Sequence, residues 1–240
     1  MPENLLIPSV DLRIGSLEEY NRRQNEKAAG RHKKPKLRPC ITLSREFGCE
    51  GYPIAERLRE LMMQKSGEEW ILVDRAVLEE VARRHNISEE ILRHLGENNR
   101  VLSEVLATFS PRWKSDQEYY TMLSRHVVSL AEQGNVIILE LGGAIITRHI
   151  PHSSHFMVFG SPGFKSTTLA NRLQIEIEAA EKIMKQEQKE RDHFVKRFLD
   201  RNAHDPSLYH LLFNNDHVAA GDIAHAIAEL VHRFCGDGSR

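Results

Sequence analysis

A chain of 240 residues, 40% hydrophobic and 28% charged, has the make-up of a water-soluble globule with one core and room for an appendage. Its formal net charge of -1 argues against a whole-surface role in binding nucleic acid or acidic membranes. The three cysteines, Cys40, Cys49 and Cys235, are odd in number and contain no CxxC pair, which argues against a disulfide framework and a thiolate zinc site. Met1 to Val10 lacks a basic stretch followed by a long apolar run, and no segment reaches membrane-spanning length, so the expected location is cytoplasmic.

In chain order, residues 1–38 read as a basic, flexible extension. A helix from about Leu17 to Ala29 is followed by a solvated linker, with cations clustered between Arg22 and Arg38 and Glu26 the only acid among them. An RNA-binding arm is the sharper alternative, but no aromatic beyond Tyr20 interleaves the charges. Residues 39–236 read as one α/β domain. Short apolar runs at Cys40–Ser44, Trp70–Asp74, Val136–Glu140, His155–Phe159 and Leu211–Asn214 alternate with helical patterns, the signature of a parallel sheet with crossover helices. The helix after the first strand carries Ile54, Leu58, Leu61 and Met62 on one face. Later helices are expected at Arg75–His85, Ser88–Leu95, Asp116–Gln133, Ile175–Phe198 and Ala219–Phe234. Gly134 closes one of them, and Asp205-Pro206 opens a helical turn.

The segment from Ser44 to Ile54 carries the chemistry. An apolar strand enters a loop bearing Gly48 and Gly51, and Pro53 stands at the start of an amphipathic helix. Glycines at the carboxyl end of a strand let backbone N–H groups turn inward, and the helix N-terminus adds partial positive charge, so a phosphate is the natural occupant. An ordinary strand-to-helix loop explains the same residues. The GxxxxGK[ST] pattern is absent, with Tyr52 and Pro53 following Gly51. Gly160 to Thr167 imitates that pattern but is one residue short and carries Phe164 before Lys165, so it reads as a decoy.

Five motifs in order resemble the cytidylate kinase-like family of P-loop nucleoside monophosphate kinases. They are Ser44-Arg45-Glu46-Phe47-Gly48-Cys49-Glu50-Gly51, Val73-Asp74-Arg75, Leu130 to Ala144, Glu190-Arg191 with Arg197-Phe198, and Asp205-Pro206-Ser207-Leu208-Tyr209 with Asn214-Asn215-Asp216. The resemblance implies a P-loop kinase-type five-stranded parallel sheet flanked by helices, with helical acceptor-binding and lid segments. It also implies transfer of the ATP γ-phosphoryl group to CMP or dCMP with Mg2+, a reaction resting on positioning and charge neutralisation. Under it Arg45, Arg191 and Arg197 supply catalytic charge, while Ser44, Gly48, Cys49, Gly51, Asp74, Gly142, Asn214 and Asn215 surround nucleotide.

Three residues depart from the family pattern: Glu50 and Tyr52 in the loop, and Leu141 where an arginine is expected to meet the acceptor phosphate. Losing one preorganised charge donor costs about 3–4 kcal/mol of transition-state stabilisation. Two alternatives to a kinase therefore stand: a nucleotide sensor that has lost phosphoryl transfer, and a module acting through its basic arm on RNA or a partner protein. The expected partners are nucleoside tri- and monophosphates, with neither membrane nor nucleic acid favoured, and a homodimer is compatible. Asp205 reads as a helix cap, Tyr119 and Tyr120 as half-buried packing. His149, His152 and His155 read as exposed loop residues rather than metal ligands, and His225 and His232 as structural.

Overall fold

The computed structural model describes residues 38–78, 116–140 and 142–236, together with Arg13 and Leu17. The five apolar runs form one sheet of parallel strands: β1 (Cys40–Arg45), β2 (Ile71–Val73), β3 (Val136–Leu139), β4 (Ser153–Phe159) and β5 (Leu211–Asn214). Their order is β2-β3-β1-β4-β5, so β1 is central and its carboxyl end opens between two neighbours. Ile41 pairs with Ile137 on one side and Ser154 on the other, which aligns the carboxyl ends of β1, β3 and β4. This is the sheet of a P-loop kinase-type architecture.

The helices are α1 (Gly51–Ser66), α2 (Asp116–Gln133), α3 (Gly143–Ile146), α4 (Pro162–Leu173), α5 (Ile177–Leu199) and α6 (Ala220–Gly236). Residues 75–78 are helical as expected, while the remainder of that predicted helix and the one at Ser88–Leu95 lie outside the described residues. Alternate residues of the strands face opposite layers. Ile41, Leu43, Ile137 and Val158 meet Ile54 and Leu58 of α1 and Ile223, Ile227 and Val231 of α6. Cys40, Val73, Val136 and Ile138 meet Leu123, Val127 and Leu130 of α2. Apolar residues on both faces are what a parallel sheet covered by crossover helices requires.

Leu17 joins the second of these layers at 3% exposure. One residue of the segment read as a flexible extension is therefore built into the core. A third apolar cluster, Phe47 with Leu169, Ala180 and Met184, ties the loop after β1 to α4 and α5.

Two local readings change. The Gly160–Thr167 segment becomes the start of α4, with the Ser161 side chain accepting from the Phe164 N–H at 3.2 Å and Pro162 in the first turn. Serine followed by proline is a helix-start signature, and it outweighs the imitation of a phosphate loop. His155 is not an exposed loop residue: it lies within β4, 6% exposed, with Nδ1 2.9 Å from the Thr42 hydroxyl. Burial, and then the neighbouring His210, pushes its pKa down to about 4, which keeps the ring neutral. His149 is exposed as expected, and no cluster able to hold a metal occurs among the described residues. His225 and His232 are also exposed, on α6.

Candidate functional site

The loop after β1 is short, because the strand ends at Arg45 and α1 begins at Gly51. The sequence predicts backbone amides turned toward an anion there. In the structure five of them donate to protein acceptors. Glu46 N–H bonds the Val158 carbonyl at 2.9 Å, Cys49 N–H the Glu46 carbonyl at 3.2 Å, and Gly51 N–H the Cys49 carbonyl at 2.9 Å. Phe47 N–H bonds the Gln188 side-chain oxygen at 2.8 Å, and Glu50 N–H bonds that of Asn215 at 3.0 Å.

Side chains complete the closure. Gly48 has φ +99°, and a Cβ there would stand 2.7 Å from Lys165 Cβ, so α4 lies directly on the loop. Lys165 Nζ meets Glu46 at 2.6 Å. Cys49 is fully buried, and burial first, with Glu46 adding, pushes its thiol up to about 12, so it stays protonated. Gly51 supplies room for another group: a Cβ there would fall 2.0 Å from Arg45 Cδ. The Arg45 side chain thus lies directly against the first turn of α1.

Beside this closed loop lies a cavity of about 780 Å³ at the carboxyl ends of β1, β2 and β3, walled on the far side by α5. Its volume falls in the range of about 300–1,000 Å³ typical of small-ligand sites. Among the predicted residues, Ser44, Arg45, Asp74, Gly142, Arg191 and Arg197 line it. Gly48, Cys49, Gly51, Asn214 and Asn215 do not. Asn214 caps the turn after β5 by accepting from Asp216 N–H at 3.0 Å, and Asn215, besides holding Glu50, donates to the Val218 carbonyl at 3.1 Å. Leu141 lies outside the described residues.

Glu140 organises the cavity. It follows β3 with φ +69°, and the turn is closed by Gly143 N–H on its carbonyl at 2.9 Å. Its Oε1 accepts from Arg191 Nη1 at 2.5 Å and lies 2.9 Å from Arg45 Nε in an ion pair. Arg45 is the more deeply placed, its side chain 4% exposed, whereas Arg191 and Glu140 are 24% and 25% exposed. Arg191 also lies over the Phe47 ring, 4.7 Å from its centroid, which fixes α5 against the loop. Arg197 stacks on Phe198 at 5.0 Å, and Phe198 in turn stacks on Tyr120 at 5.2 Å. Asp74 caps the helical turn that follows it by accepting from Val77 N–H at 3.0 Å, and it pairs with Arg13.

Glu140 and Arg13 were not singled out from the sequence. The first had a legible signal, an acid ending a buried strand; the second had none, since its neighbours in space are more than thirty residues away in the chain.

The sequence profile of the cytidylate kinase-like family matches residues 40–217. Among solved structures, the crystal structure of an uncharacterized protein from Eubacterium ventriosum ATCC 27560 superposes with a TM-score of 0.55 at 15% identity, covering 83% of this chain and 98% of that one. At that identity the likeness is one of fold. No functionally curated protein matches the sequence. A profile running from the first residue of β1 to the turn after β5 spans every strand of the sheet, and the chain belongs to the cytidylate kinase-like family.

Proposed function

We propose that this protein binds a nucleoside monophosphate in the cavity walled by Arg45, Glu140 and Arg191, and that it has lost most or all phosphoryl transfer from ATP. The observation that carries this reading is the contrast within one site: five arginines, Arg13, Arg45, Arg75, Arg191 and Arg197, line a ligand-sized cavity, while five amides of the neighbouring loop donate to protein acceptors. An incoming phosphate competes with Glu140 for the Arg45 and Arg191 guanidinium groups, whose planar donors suit an anion's oxygens. Arg197 adds charge from α5, and Asp74, Ser44 and Gly142 form the opposite wall. Phe194 and Phe198 line the same cavity and give a base an aromatic wall to pack against.

ATP and Mg2+, which the family implies, do not fit the loop in this arrangement. Five of its backbone donors are engaged, the Arg45 side chain lies against Gly51, and the Glu46 carboxylate is paired with Lys165. Tyr52 stands where the standard loop has its lysine and brings no ammonium, and Pro53 stands where it has its serine or threonine and brings no hydroxyl. The kinase reading remains second, favoured by the convergence of Arg45, Arg191 and Arg197 on one cavity.

Calorimetric titration with CMP, dCMP and the other nucleoside monophosphates, beside a coupled assay with ATP and Mg2+, separates the two. Saturable monophosphate binding that Arg191→Ala weakens at least tenfold, without nucleoside diphosphate formation above the enzyme-free blank, is the expected result. Robust turnover establishes the kinase instead, and no monophosphate binding at millimolar concentration defeats the proposal.

A further inference from the structure

We infer that His204 is a positioning residue for the cavity: as an imidazolium between Glu46 and Asp192 it fastens α5, and with it Arg191, to the loop after β1. This rests on the monophosphate-binding reading and deepens it by making affinity depend on a proton. The contacts run in a closed ring. Phe47 N–H donates to Gln188 Oε1 at 2.8 Å, and Gln188 Nε2 donates to Asp192 Oδ1 at 2.8 Å. His204 Nε2 lies 3.1 Å from that same oxygen, and its Nδ1 lies 3.6 Å from Glu46 Oε1, an ion-pair distance. Glu46 leads back along the backbone to Phe47. Its other oxygen accepts from Lys165 Nζ at 2.6 Å and from Gly160 N–H at 3.3 Å. The ring joins the loop after β1, α5 and the segment ahead of β5, and Lys165 adds α4.

An imidazole placed this way closes the ring in one charge state only. Neutral, it carries a single N–H, so whichever nitrogen is protonated, the other turns a lone pair on a carboxylate. Protonated, it gives a donor to each. The charge count within the ring agrees: Glu46 and Asp192 are two acids, and Lys165 supplies one of the two cations that balance them. Around the ring, Arg201 and Asp205 attract each other on the His204 segment, Arg191 is paired with Glu140, and Lys196 with Asp200. Lys189 and His193 are exposed on α5, and burial pushes the Tyr209 phenol up, so it is neutral. Phe47 links the ring to the cavity wall. Its N–H belongs to the ring, and its aromatic face lies under the Arg191 guanidinium, 4.7 Å from the centroid. Arg191 stands between Gln188 and Asp192 on α5 and lines the cavity, so closing the ring fixes where its guanidinium stands toward a bound phosphate. Affinity gained in this way is present at low pH and is lost as pH rises and the imidazolium gives up its proton.

The test is calorimetric titration of the full chain with CMP at about pH 5 and about pH 8.5, on either side of the range in which imidazoles change charge. Wild type is compared with His204→Gln, Asp192→Asn and the double variant, and taking the ratio of affinities at each pH cancels the titration of CMP itself. His225 is exposed on α6, and His225→Gln serves as the control. With the His204 and Asp192 side chains 38% and 42% exposed, water weakens each contact, so an effect of roughly fivefold is expected. Wild type should bind about fivefold tighter than His204→Gln at the lower pH and within twofold of it at the higher. Asp192→Asn should abolish that pH-dependent difference, and His225→Gln should follow wild type at both. A ratio of wild type to His204→Gln that is the same at both pH values overturns this inference alone and leaves His204 a structural residue. So does a pH-dependent ratio that survives Asp192→Asn, because His204 then acts on the ligand directly. Wild-type protein that binds no nucleoside monophosphate defeats the earlier reading and this one with it.

Discussion

The loop after β1 and the cavity beside it share Arg45, yet they are built on opposite principles. In the loop, five backbone donors are matched with carbonyl and amide oxygens, and Gly48 and Gly51 serve close packing against Lys165 and Arg45. In the cavity, one carboxylate holds two guanidinium groups at a wall that remains open. Glycines in a strand-to-helix loop thus mark close approach, and the approaching group can be the protein's own side chain. A loop that has filled its own centre keeps the fold's shape, while recognition of anions moves to whatever charges are still held ready next to it.

Three substitutions can break or sharpen that contrast. The largest effect is expected from Glu140→Ala, which removes the carboxylate that Arg45 and Arg191 share. Removing one partner of a buried pair costs about 3–5 kcal/mol, and with Glu140 itself a quarter exposed, denaturant unfolding should report a loss of about 2–3 kcal/mol. A loss below about 1 kcal/mol would show that the cavity, not the carboxylate, holds these arginines. Next comes Gly51→Ala. Its Cβ needs the space of Arg45 Cδ, and the side chain is too enclosed to swing aside freely, so a loss of about 2 kcal/mol is expected along with weaker monophosphate binding. Tight binding with intact stability would mean that the contact of Arg45 with α1 is dispensable. The smallest effect belongs to Asn215→Ala. It leaves Glu50 N–H and the Val218 carbonyl without their partner, at about 1 kcal/mol, and should leave affinity for the cavity unchanged. A tenfold change in affinity there would tie the loop to the ligand after all.

Much of the fold was legible because its signals are local. Each of the five strands was an apolar run bounded by turn residues, and Gly134 ends α2 with φ +69° and an N–H on the Leu130 carbonyl, as a helix-closing glycine should. The α5 and α6 boundaries shifted by only a residue or two. The helix α4 was missed because attention to the phosphate-loop imitation hid its Ser161-Pro162 start.

Site residues were legible where chemistry and chain position coincide, as with Ser44, Arg45 and Asp74 at strand ends, and Arg191 and Arg197 on α5. What the sequence could not convey was partnership. That Gln188 and Asn215 would satisfy the loop's N–H groups depends on contacts between elements far apart in the chain. The same is true of Leu17 reaching the core, since composition alone describes that region as a charged arm.

Glu140 deserves a last physical consequence. A residue with a Cβ at φ +69° sits about 1–2 kcal/mol above its relaxed backbone, a position where glycine rests without penalty. A glycine there would relax the turn but remove the carboxylate that Arg45 and Arg191 share. Backbone ease and the arginine pair thus pull this one position in opposite directions, and Glu140→Gly is expected to gain the first at the expense of the second.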